Sequence, residues 1–172
     1  MHTAYIALGS NLGDRLAWLQ LAVDGLQDIA ERLTCSPIYE SVAHTLTPED
    51  RFPDFLNAVV QIYTDLEVED LLDHCQTIER KALRQRILPY GPRTLDLDLL
   101  AVGETSCNTS RIILPHPRLM ERKFVLQPWH DLAPDFFIPY PINVTVTKAL
   151  ERCQDQARLQ KTKSQLAVGY HG

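Results

Sequence analysis

From Leu95 to Leu99 leucines and aspartates alternate strictly, and few folds can absorb such a segment. Side chains alternate across a β-strand, so Leu95, Leu97 and Leu99 share one face while Asp96 and Asp98 share the other. The segment therefore predicts a strand running over 97–102, with leucines on a core and two carboxylates side by side, roughly 7 Å apart along the backbone. Like charges at that distance repel unless a cation joins them. A hard divalent ion such as magnesium takes a few carboxylate oxygens and completes its shell with water and phosphate. The bland alternative is a solvated strand face. Against it stand the cations that bracket the pair, with Arg84, Arg86 and Arg93 before it and Arg111, Arg118, Arg122 and Lys123 after it. Arginine contacts phosphate oxygens in pairs, so this clustering favours a metal–phosphate site.

The rest of the chain supplies the layers such a strand needs. Residues 4–8 form a short apolar run bounded by Gly9-Ser10-Asn11, a buried first strand. Apolar residues then recur at helical spacing over 15–30 (Leu16, Leu19, Ala22, Val23, Leu26, Ile29). Strands follow over 34–39 and 55–63, the second apolar enough to lie centrally, and a second amphipathic helix spans 67–82. The order β-α-β-β-α-β predicts an α+β, ferredoxin-like core, an antiparallel sheet with helices on one face, plus C-terminal additions. The additions are a proline-rich stretch over 111–141 with one small helix and a further helix over 147–159, and the polar tract after about 160 is expected to fray. No repeat or linker divides the 172 residues, which are expected to form a single domain.

Composition excludes several classes. No apolar run reaches the ~20 residues of a membrane span. The first residues lack the features of a secretory signal, so a cytoplasmic location is expected. Cys35, Cys75, Cys107 and Cys153 are far apart and form no CxxC pair, which argues for ordinary thiols rather than a zinc or redox site. A net charge of −5 disfavours nonspecific binding to nucleic acid or anionic lipid, and neither partner is expected. The glycines of Gly9-Ser10-Asn11-Leu12-Gly13 lack the Gly-Lys-Ser/Thr ending of a phosphate loop.

Taken in order, Tyr5-Ile6-Ala7-Leu8-Gly9-Ser10-Asn11-Leu12-Gly13, Phe55-Leu56-Asn57-Ala58-Val59, Gly91-Pro92-Arg93-Thr94-Leu95-Asp96-Leu97-Asp98, Pro115-His116-Pro117 and Arg122-Lys123-Phe124-Val125-Leu126-Gln127-Pro128 resemble the 6-hydroxymethyl-7,8-dihydropterin pyrophosphokinases along nearly the whole chain. The resemblance implies ATP-dependent transfer of pyrophosphate to the hydroxymethyl group of a reduced pterin, a step of folate biosynthesis. The pterin hydroxyl would attack the β-phosphorus and release AMP. Two Mg2+ ions held by Asp96 and Asp98 would bridge the ATP phosphates. The same resemblance makes Arg93, His116 and Arg122 triphosphate ligands and puts Gln76, Glu79, Arg86 and Arg111 on the nucleotide side. Phe55 and Phe124 become the aromatic walls around the pterin, and Asn57 the amide that reads its polar edge. Gly9 lies beside the pterin, and the backbone near Ser41 and Val42 adds hydrogen bonds. Arg84 and Arg86 fall in a loop that closes over the site, with Arg84 and Arg93 acting in catalysis alongside the two aspartates. ATP and the pterin are the expected partners, and a monomer is the expected state.

The chain departs from the family pattern at Leu83, where a glycine is usual, at Tyr90, where a tryptophan is usual, and in the long stretch 45–51. These changes bear on loop closure and leave the acidic pair untouched. They keep a second reading open, a pterin-binding relative with weakened catalysis. A third reading, a ferredoxin-like RNA-binding module, calls for exposed aromatics in a glycine- and lysine-rich strand on a basic surface, and this acidic chain lacks both.

Overall fold

In the computed structural model, which describes residues 1–42, 53–82 and 94–169, the first apolar run becomes β1 (His2–Ser10), an interior strand of a sheet. Its residues are apolar on both sides because both faces of the sheet are covered. Ala4, Ile6 and Leu8 enter one core and Tyr5 and Ala7 the other. β1 pairs antiparallel with β4 (Phe55–Thr64) on one side and with β5 (Asp96–Val102) on the other. The outer edge of β4 takes two short strands in succession, β2 (Arg32–Cys35) and β3 (Tyr39–Ser41). Pro37, which has no N–H to donate, interrupts them. Ser36 spans the gap: its N–H donates to the Val59 carbonyl at 2.9 Å and its hydroxyl accepts the Val59 N–H at 2.8 Å. This is the antiparallel arrangement that the ferredoxin-like element order calls for.

Two helices cover the first face. α1 (Arg15–Gln27) begins where Asp14 accepts the Ala17 N–H at 3.1 Å. It buries Leu19, Ala22, Val23 and Leu26, and stops short of the 15–30 expected. α2 (Val68–Lys81) has Glu69 and Asp70 in its first turn and Arg80 and Lys81 in its last, charges that complement the helix dipole at both ends. The two helices meet at Gly25, where an added Cβ would sit 2.8 Å from Ile78 Cδ1, so a larger residue would force the Ile78 side chain to shift.

The expectation of helices on one face is incomplete. α3 (Lys123–Leu132) and α4 (Val146–Arg152) lie on the opposite face over a second apolar cluster that includes Tyr5, Val59, Leu100, Leu126 and Trp129. A bulge in β5 feeds this cluster: Ile6 faces Leu99 and Tyr5 faces Ala101, leaving Leu100 as the extra residue. One correction concerns the C-terminal part. The last helix ends at Arg152 rather than near 159. The described part of the tract after 160 makes contacts with the core: Leu159–Lys161 pairs antiparallel with β3 as an edge strand, and the side-chain amides of Gln20 and Gln27 each exchange two hydrogen bonds with the backbone of Ala167 and Gly169. An edge strand is held by its backbone and tolerates polar residues on its open side, so neither feature needs apolar periodicity.

Candidate active site

The register of the sheet assembles the site. Gly9 lies opposite Asn57 on one side and opposite Asp96 on the other, and Asn57 in turn lies opposite Tyr39. Directly opposed residues share a face. Tyr39, Asn57, Gly9 and Asp96 thus form one row across four strands, with Val59, Ala7 and Asp98 in the next row.

At the β5 end, Leu95, Leu97 and Leu99 are buried and Asp96 and Asp98 reach the surface, with the Asp98 side chain 48% exposed. Glu79, buried on α2, accepts the Leu97 N–H at 3.3 Å. It therefore anchors the backbone between the two carboxylates. Arg122 Nη1 stands 3.9 Å from Asp98 Oδ2. Burial pushes the Arg122 guanidinium below its usual range, with Asp98 pulling the other way. His116 is fixed by its N–H, which donates to the Leu100 carbonyl at 2.9 Å, and its Nδ1 accepts the Arg118 N–H at 3.2 Å. Burial pushes the imidazole pKa down, Asp98 opposes this, and Arg122 and Arg118 add to it. With Nδ1 occupied as an acceptor, the neutral ring carries its proton on Nε2, a donor suited to a phosphate oxygen.

At the β4 end, Asn57 is 4% exposed. Its Nδ2 donates to Ser41 Oγ at 2.7 Å and to the Tyr39 carbonyl at 3.3 Å. A Cβ at Gly9 would lie 3.6 Å from Phe55 Cδ1 and 3.7 Å from Asn57 Oδ1, so both side chains lean over the glycine and the missing methyl keeps the floor between them open. Phe124 occupies the first turn of α3 against the second core, with the Arg122 guanidinium 5.8 Å from its ring centroid. Ser41 is buried and Val42 exposed.

Arg111 stands apart from this group. It pairs with Glu69 and Asp73 of α2, each at 2.6 Å, and lies 3.5 Å from Gln76. To reach a phosphate it would have to exchange those partners. Arg84, Arg86 and Arg93 lie outside the described residues, as do Leu83, Tyr90 and the stretch 45–51. Sequence reasoning missed Arg118 as the residue that sets the His116 tautomer and Tyr39 as a carbonyl partner of Asn57. The first had a local signal, its place two residues after His116. The second depends on strand register and had none.

Among the described residues no three His, Cys, Asp or Glu side chains cluster as a metal site. Two adjacent carboxylates open to solvent still fit magnesium, which is often held by one or two carboxylates with phosphate and water supplying the other oxygens.

Residues 5–134 match the family described as 7,8-dihydro-6-hydroxymethylpterin-pyrophosphokinase (HPPK). A Pseudomonas aeruginosa protein named 2-amino-4-hydroxy-6-hydroxymethyldihydropteridine pyrophosphokinase is 42% identical over 137 residues, 78% of this chain and 83% of that one. A Bacillus subtilis protein of the same name is 40% identical over 163 residues, covering 94% of this chain and 92% of its own. Among solved structures, the wild-type HPPK-DHPS of Plasmodium falciparum with pteroate superposes with a TM-score of 0.68 at 13% identity, a likeness of fold. That match takes in 88% of this chain and 42% of the longer Plasmodium chain. The acidic strand, the buried amide and the ring-bearing helix thus stand on a scaffold matched in sequence and in fold, and the chain belongs to the HPPK family.

Proposed function

We infer that this chain transfers a pyrophosphoryl group from ATP to 6-hydroxymethyl-7,8-dihydropterin, releasing AMP and forming the pterin diphosphate used in folate biosynthesis. The observation that carries the reading is the row in which Gly9 separates Asn57 from Asp96. Adjacent strands lie about 4.8 Å apart, so an amide able to read a pterin edge and a carboxylate able to hold a metal–phosphate group stand roughly 10 Å apart across an open floor. That span suits a bicyclic ring followed by a hydroxymethyl group.

Asn57, held by Ser41, presents its amide to the polar edge of the pterin, and Gly9 leaves space for the ring. Phe55 and Phe124 supply apolar faces for stacking, and the backbone at Ser41 and Val42 adds polar contacts. Asp96 and Asp98 are the residues that would hold magnesium, two ions in this reading, and the metal would supply neutralisation of the phosphate charge there. His116 donates from Nε2 and Arg122 adds a fixed positive charge, both beside Asp98. Arg93 joins them, Arg84 and Arg86 close over the phosphates, and Gln76 and Arg111 border the nucleotide. Glu79 steadies β5 from below. Catalysis rests on alignment and charge neutralisation rather than on a dedicated base. The enzyme acts as a monomer in the cytoplasm; no helix among the described residues is long and apolar enough to cross a membrane.

The test is the nucleotide product. Purified protein given magnesium, ATP and the hydroxymethyl-dihydropterin should form AMP and pterin diphosphate in equal amounts. ADP as the product, or ATP consumption indifferent to the pterin, would overturn the reading.

A further inference from the structure

On the ring-binding side, one side-chain linkage ties the helix that carries Phe124 to the strand that supports Asn57. Tyr39, on the same face as Asn57 and 8% exposed, donates its hydroxyl to Asp131 Oδ2 in the last turn of α3. Burial and the neighbouring Asp131 carboxylate both push the Tyr39 pKa up and keep the hydroxyl protonated as the donor. The other carboxylate oxygen, Asp131 Oδ1, accepts Gln127 Nε2 at 3.1 Å. Phe124, Gln127 and Asp131 follow one another at helical spacing and so lie along one stripe of α3.

Pro128 makes this stripe consequential. It sits inside α3 and has no N–H, so the backbone bond that would join it to the Phe124 carbonyl is missing. The Gln127–Asp131 bond bridges Pro128 from the side, linking the residue before it to the turn after it. Val125, Leu126 and Trp129 hold α3 on the sheet through burial. Burial is non-directional and leaves the helix free to roll or slide slightly. A hydrogen bond has a direction and a length, and here it runs from Tyr39 through Asp131 and Gln127 to the turn that presents the ring.

We propose that Tyr39 and Asp131 are positioning residues that set the width of the pterin slot by locking α3 to β3, with Gln127 carrying the restraint past Pro128 to Phe124. The proposal rests on the assignment of Phe55, Asn57 and Phe124 to the pterin.

Calorimetric titration with hydroxymethyl-dihydropterin and with a non-hydrolysable ATP analogue, on Tyr39→Phe, Asp131→Leu, their double variant and Asp131→Asn, tests it, with thermal melts of each. Tyr39→Phe should weaken pterin binding about fivefold, the loss of one hydrogen bond, with nucleotide affinity unchanged. Asp131→Leu should do the same, and the double variant should be no worse than either single one. Asp131→Asn keeps an acceptor for the tyrosine and should retain the wild-type pterin affinity. Unchanged pterin binding in Tyr39→Phe, while Phe124→Ala loses it in the same assay, would overturn the proposal and leave the pocket assignment standing. If Phe124→Ala also has no effect, the pocket assignment itself fails. Parallel loss of pterin and nucleotide affinity with the melting temperature would reduce the linkage to a stabilising contact. Additive effects in the double variant would mean that the two residues do not act through one bond.

Discussion

Replacing Asn57 with alanine separates what this residue does for the fold from what it does for the ligand. The amide donates to Ser41 Oγ at 2.7 Å and to the Tyr39 carbonyl at 3.3 Å. A typical buried hydrogen bond contributes about 1 kcal/mol net, and the longer of these two contributes less. Asn57→Ala removes both bonds, for a combined loss of up to about 2 kcal/mol. A domain stable by roughly 5–15 kcal/mol survives that, with a melting temperature lower by about 5 °C. Pterin affinity should fall by roughly ten- to a hundredfold, because the polar edge of the ring would face an apolar methyl instead of the Oδ1 acceptor, the one amide atom that Ser41 and Tyr39 leave available. Nucleotide affinity should hold, since His116, Arg122 and the carboxylates stand on the far side of Gly9. Ser41→Ala is the control: it removes the 2.7 Å bond and leaves the amide in place. It should lower stability by roughly half as much and pterin affinity by only about threefold. Calorimetry with each ligand and urea unfolding of each variant measure all four quantities. Equal losses of pterin affinity in the two variants would refute the reasoning, because the amide would then act by holding β3 rather than by reading the ring.

Asp96→Asn and Asp98→Asn should each lower turnover by more than about a hundredfold in protein that still folds, since the amide keeps the shape and loses the charge that a metal needs; near-normal turnover at saturating magnesium would sink the metal assignment. Gly9→Ala should fold normally, because the new methyl would meet nothing closer than 3.6 Å, yet it should bind pterin weakly and nucleotide normally, as titration of both ligands would show. Burial pushes the Cys35 thiol to about 11 and the Cys75 thiol to about 12, from an ordinary value of 9.0. Unfolded thiols ionise near 9 while the folded ones keep their protons, so the folded state binds more protons in the window above 9 and stability falls as pH rises toward 11 and 12. Urea midpoints should decline from pH 9 upward, less steeply in Cys75→Ala, and an identical slope in that variant would count against it.

Period and order alone determined a good deal of this protein. The alternation of Leu95, Asp96, Leu97, Asp98 and Leu99 was enough to face two carboxylates away from a core, and the helical spacing of Leu19, Ala22, Val23 and Leu26 was enough to lay α1 on the sheet. These are local properties, fixed by how a side chain leaves the backbone of a strand or helix. Other features needed the tertiary structure. Gly9 is an ordinary strand-end glycine until register puts Asn57 on one side of it and Asp96 on the other. Gln160 belongs to a polar tract that resembles a loose tail, yet its neighbours pair with β3 because an exposed strand edge offers backbone partners to any extended segment. Tyr39 and Asp131 are 92 residues apart, and nothing in the chain announces their bond. Strand register and the seating of a helix come from the simultaneous packing of both cores, a sum over contacts distant in sequence, and no local pattern carries that sum.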